Sequence, residues 1–121
     1  MKKATLTKAS LAQLVAEYVT AASRHGQATE AGDSRTANKS ADVVAHVHTE
    51  LRHRGLREAL LPLLEHPDPG VRCWAGSHVL EFAPDAAEGV LSSLARQQGS
   101  LISFSAEMTL KVWRQGQLKF P

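Results

Sequence analysis

The sequence predicts an all-α domain of about six short antiparallel helices, a HEAT-like α-solenoid or helical array. Three observations lead there. Apolar residues recur at helical spacing in nearly every segment, and helix-start and helix-stop residues fall between the segments. Nowhere does period-2 alternation of β-branched residues run between turn signals, so no strand is expected. With 121 residues, 43% of them hydrophobic and 21% charged, the chain is sized for one globular domain over residues 1–121.

The elements follow in order. Residues 1–9 carry no hydrophobic run and are expected as a flexible N-terminus without a signal peptide. Ser10 and Gln13 have the spacing of a capping box. Behind them Leu11, Leu14, Val15, Tyr18, Val19 and Ala22 form one apolar stripe. The stripe runs on through Gly26 and Thr29 to Gly32, unless Gly26 breaks the helix early. Asp33 suits the N-cap of a second helix, with Ala37, Ala41, Val44, His48 and Leu51 in register and Val43 and Val47 beside them. Arg52, His53 and Arg54 crowd its last turn, where positive charge favours the dipole, and Gly55 supplies the left-handed exit.

Residues 56–65 are nearly all apolar but hold Pro62, which predicts a kink or a late helix start. Asp68 as N-cap and Pro69 at the first position open a fourth helix carrying Val71, Trp74, Ala75, Val79 and Phe82. Pro84 ends it and suits the start of a fifth, with Ala87, Val90, Leu91, Leu94 and Ala95 before Gly99. A last helix over about 104–115 has Phe104, Met108 and Val112 on one face and Ala106, Leu110 and Trp113 on another. Apolar on two sides, it is expected to be buried on two sides. Gly116 stops it, and Leu118 and Phe120 can fold back as a hydrophobic tail.

Residues 60–75 pair a leucine-rich, proline-containing segment with an Asp/Pro turn and then Val71-Arg72, a pattern that resembles a HEAT-type repeat. The Ser10 helix start, the turn over residues 66–75 and the closing segment from Glu107 to Pro121 together resemble a small bacterial family. Its members are uncharacterised all-helical proteins with HEAT-like repeat character, a domain of unknown function. Residues 24–40 fit the pattern least. The resemblance implies an all-α fold and a soluble bacterial protein. It carries over no catalytic residue and no cofactor.

Composition excludes several functions. A formal net charge of +2 with only six aromatic side chains is a weak footprint for nucleic acid. A single cysteine excludes an internal disulfide and any zinc site with more than one thiolate. No apolar run reaches the roughly 20 residues of a membrane span. No phosphate-cradling loop, nucleophile elbow, dinucleotide fingerprint or calcium loop occurs.

Five groups of residues carry what chemistry remains. His46, Glu50 and His53 share one helical face, but the two imidazoles stand about 10 Å apart along the axis, so a solvated polar face is preferred to a metal site. His48 and His78 fall on or near apolar stripes and read as hydrogen-bonded interior histidines. Cys73 follows Arg72 near a helix N-terminus, a setting that favours thiolate, against the plainer reading of a small packing residue. Arg52, Arg54, Arg57 and Arg72 could meet phosphate or a partner, although helix-end charge explains much of the cluster. Trp113 and Arg114 could anchor a partner or cap the core.

The expectation is a cytoplasmic, non-enzymatic protein-interaction module without cofactor or metal, working through its surface and not a pocket. An adaptor or an immunity- or antitoxin-like protein is its concrete form, and the partner is another protein. The alternative is a small nucleic-acid or phosphate binder.

Overall fold

Each predicted cap at the front of the chain forms. The Ser10 hydroxyl accepts from the Gln13 amide at 3.1 Å, and Gln13 Oε1 accepts from the Ser10 amide at 2.8 Å. The structure is a computed structural model that describes residues 3–97 and 99–119. Helix α1 is Lys3–Leu6, α2 is Leu11–Glu30 and α3 is Ser34–His53. A 3-10 segment over Arg57–Glu65 follows, then α4 (Pro69–Val79), α5 (Pro84–Ala95) and α6 (Leu101–Arg114). Among the described residues there is no strand, and no helix is long and apolar enough to cross a membrane.

Helices α2 and α3 form a long antiparallel hairpin turned by Gly32, at φ +75°, with Asp33 accepting from the Thr36 amide. Short α4 lies at the centre, packed against α2, α5, α6 and the 3-10 segment. It reaches α2 through two glycines. A Cβ on Gly70 would stand 3.0 Å from the Ala22 carbonyl oxygen, and one on Gly26 would stand 3.3 Å from the Gly70 Cα. Gly26 therefore does not break α2; it admits the backbone of α4. Asp68 fixes the crossing, accepting from the amides of Gly70 and Val71 and from the Ser23 hydroxyl of α2 at 2.6 Å.

Four expectations are revised. The segment around Pro62 is a 3-10 helix from end to end, not an α-helix with a kink. Pro62 cannot donate to an α-helical ladder there, yet Leu60, Leu63 and Leu64 still reach the core. The N-terminal segment, expected as flexible, packs from Leu6 onward. Leu6 and Ala9 are buried, and Arg54 donates to the carbonyls of Leu6, Thr7 and Ala9.

Helix α6 begins a turn earlier than its apolar pattern predicts. Ser100 caps it, and Glu30 at the end of α2 accepts from the amides of Leu101 and Ile102 at 2.7 and 3.1 Å. Burial of α6 is one-sided: Ser103, Ala106 and Leu110 face the core, while Leu101, Phe104 and Met108 face solvent. Gly116 ends the helix as expected, and Leu118 folds back onto the core. Phe120, the other tail residue, lies outside the described residues, as do Met1 and Lys2.

Candidate functional site

Where α2, α3, α4, α6 and the C-terminal tail meet, they leave a cleft of about 570 Å³. Small residues make the space. Gly26 on α2, Ala41 and Ala45 on α3, Gly70 and Ser77 on α4 and Ser105 on α6 all line it. Ile102 and Leu118 add apolar surface, and Asp42 and Lys119 are the charged lining groups. A cleft of this kind was not expected; the sequence pointed to a working surface.

One wall is aromatic. Trp74 and His78 lie one turn apart on α4, and His25 reaches across from α2. His25 meets the Trp74 ring edge-on at 5.1 Å between centroids, and the Trp74 indole N–H donates to His25 Nδ1 at 3.1 Å. On the other side Trp74 lies 5.7 Å from His78. Behind the wall, the fully buried Tyr18 hydroxyl sits 2.7 Å from His78 Nδ1. His48 of α3 stacks flat on His78, with centroids 3.7 Å apart and planes 2° apart.

These surroundings hold the imidazoles neutral. Burial lowers the His25 pKa. Burial, then Arg52, pushes His48 down to about 4. Burial, with His48 and Arg52, pushes His78 down to about 3. The Tyr18 phenol is raised well above its ordinary value, first by burial and then by Cys73. Cys73 also lines the cleft, and burial pushes its thiol up to about 11. It is therefore a thiol at neutral pH and a weak nucleophile. Its neighbour Arg72 turns away, donating to the carbonyls of His66 and Pro67 at 2.8 and 2.9 Å.

The remaining predicted residues are dispersed. Arg52 makes a two-pronged bond to Glu81 at 2.6 Å, and Arg57 meets the same carboxylate at 3.2 Å while lying over the Phe82 ring. Arg54 bonds Glu50 at 2.6 Å besides clamping the N-terminal segment. His46 and His53 are exposed, and Glu50 is committed to Arg54. Trp113 packs partly buried against the core, with Arg114 next to it bonded to Glu88 at 2.8 Å.

His48 is interior as expected but not hydrogen-bonded: both ring nitrogens are buried without a partner. The sequence placed Trp74 only among the apolar residues of its helix and gave no reason to single out His25. Their pairing, and that of Tyr18 with His78 sixty positions away, leaves no local signal.

Comparison with known proteins follows the same outline. The crystal structure of the protein RPA1889 from Rhodopseudomonas palustris CGA009 is similar at a TM-score of 0.86 and 27% identity, covering 94% of this chain and 96% of that one. Comparison with curated proteins finds no match. The family model described as a domain of unknown function, DUF2019, matches residues 12–113. That span reaches into all four helices that wall the cleft, and the chain belongs to the DUF2019 family.

Proposed function

We propose that the chain is a non-enzymatic, cytoplasmic protein-interaction module, a HEAT-like array of helices that presents α6 to one protein partner. One observation carries this reading. Leu101, Phe104 and Met108 stand at i, i+3 and i+7 along the outer face of α6 with 48%, 59% and 39% of their surface exposed. Large apolar side chains clustered on one face of a monomer mark contact surfaces. Their spacing is that of a helix laid into an apolar groove. Covering them gives roughly 1.5–3 kcal/mol for each side chain fully buried. An immunity- or antitoxin-like protein that seats this helix in a toxin's groove is one concrete form.

The phosphate-binding alternative draws no support from the arginines. Arg52, Arg54, Arg57 and Arg72 direct donors to internal carboxylates and carbonyls.

The test is affinity capture from the native host with tagged wild type and tagged Phe104→Asp. Phe104 is exposed, so the fold is expected to survive the change. One stoichiometric protein retained by the wild type, rebinding it in purified form and lost with Phe104→Asp is the expected result. Equal retention by both, or no partner at all, overturns it. Binding to heparin that weakens steeply with salt would favour the phosphate alternative instead.

A further inference from the structure

We propose that the cleft between α2, α3, α4 and α6 is a binding site for a compact, uncharged and largely apolar molecule bearing a carbonyl-type hydrogen-bond acceptor. The site is separate from the outer face of α6 and takes a different class of ligand.

The hydrogen bonds behind the aromatic wall decide what the wall offers. An indole N–H can only donate, so His25 Nδ1 is an acceptor from Trp74 and carries no proton. In a neutral imidazole the proton is then on Nε2. At His78 the partner is a hydroxyl, which can donate or accept, so the direction follows from what else that hydroxyl can reach. The Tyr18 hydroxyl is fully buried, and its described hydrogen bond is to His78 Nδ1, so its proton points there. That leaves His78 with its proton on Nε2 as well. His78 is itself more than nine-tenths buried and lines the cleft, and no described residue accepts from its Nε2. The low pKa of each ring keeps both as neutral donors at pH 7.

The wall therefore carries an Nε2–H donor on each of the two imidazoles that flank the Trp74 ring. Both rings line the cleft, and neither Nε2 has a described acceptor within the protein, so a ligand oxygen in the cleft could accept from them. The charge balance selects against ions. Asp42 and Lys119 oppose one another in sign, so the lining carries no net charge to offset the desolvation of a simple ion. Ile102, Leu118 and the alanines suit an apolar body. At about 570 Å³ the cleft lies within the usual range of small-molecule sites.

The experiment compares 2-acetonaphthone with 2-ethylnaphthalene, which match in shape and differ in the carbonyl. Protein labelled with 15N-histidine is followed by NMR, and affinities are measured by titration on folded wild type, His25→Leu, His78→Phe and Ala41→Phe. The free protein is expected to show Nε2-protonated rings at His25 and His78. The ketone should bind at least ten-fold more tightly than the hydrocarbon and shift both Nε2 signals. His25→Leu should cut that preference several-fold while hydrocarbon binding persists. Ala41→Phe, which fills the cleft, should remove binding of both.

Circular dichroism checks each variant, and His25→Leu decides the matter if His78→Phe does not fold. Equal affinity for the two compounds, no saturable binding of either, an Nδ1-protonated tautomer at either ring, or an unchanged preference in His25→Leu would each overturn the proposal. Phe104→Asp should leave this binding unchanged, so failure here is separable from failure of the partner-binding reading.

Discussion

Among the described residues, His48 is the one with buried side-chain nitrogens that lack any hydrogen-bond partner. It is fully buried and stacked on His78. A buried polar group in that state costs about 1–3 kcal/mol. Replacing it with an apolar side chain of similar volume removes the cost and keeps the space filled. His48→Leu is therefore expected to leave stability at pH 7 unchanged or raise it by about 1 kcal/mol, measured by urea unfolding. A loss above about 2 kcal/mol would mean that the ring makes a polar contact in solution. The sequence identified His48 as interior because its register with Val44 and Leu51 is a local property. Its missing hydrogen bonds depend on what α4 brings across, which no spacing along α3 encodes.

At the level of elements, glycines that look alike in the sequence do opposite things. Gly70 sits where α4 crosses α2, and an added methyl would press on the Ala22 carbonyl, a backbone atom that cannot step aside. Gly89, inside α5, has nothing within 4 Å of its Cβ position. Gly70→Ala should destabilise by about 1–3 kcal/mol. Gly89→Ala should stabilise by about 0.5–1 kcal/mol, because alanine loses less backbone freedom in a helix. Thermal unfolding of the two variants side by side checks both signs.

The same contrast explains what was legible. Caps are short-range chemistry, so Ser10, Asp33, Asp68 and the terminating glycines could be placed from sequence. The start of α6 could not, since half of its cap comes from Glu30, more than seventy residues away. Apolar periodicity identified both apolar faces of α6. It could not tell which one the fold would cover, so the solvent-facing Phe104 appeared only with the structure. The cleft is illegible for a related reason: it is made by small residues on four helices, and each reads alone as ordinary packing.

For the whole molecule, the two stacked histidines set an acid limit. Both have folded pKa values far below the ordinary imidazole value of 6.5, at about 4 for His48 and about 3 for His78. The unfolded chain thus binds more protons than the folded one throughout the interval between. Stability is fully present above about pH 7 and is lost as pH falls from roughly 6.5 toward 4 for His48 and toward 3 for His78. The two stacked rings repel and titrate together, so the loss by pH 5 is on the order of a few kcal/mol for the pair.

Asp68 acts in the same direction at lower pH. Burial pushes its carboxyl up, but the Ser23 hydroxyl and the amides of Val71 and Gly70 outweigh that and hold it below its ordinary value. Urea midpoints measured from pH 7.5 to 4.5 should fall steadily, and His48→Leu should make the curve shallower. A flat profile would show that the histidine pair is solvated or charged in the folded protein.

Arg54 gives the N-terminal segment an unusual kind of anchorage. It grips main-chain oxygens of residues 6, 7 and 9, and every amino acid supplies such an oxygen. The letter at Lys8, which is exposed, is thus free to drift as long as Leu6 and Ala9 keep their seats. Mutational tolerance at Lys8 should be high, while the arginine that grips its neighbours, forty-odd positions downstream, should tolerate almost nothing, lysine included, because one ammonium cannot reach three oxygens in a fixed fan.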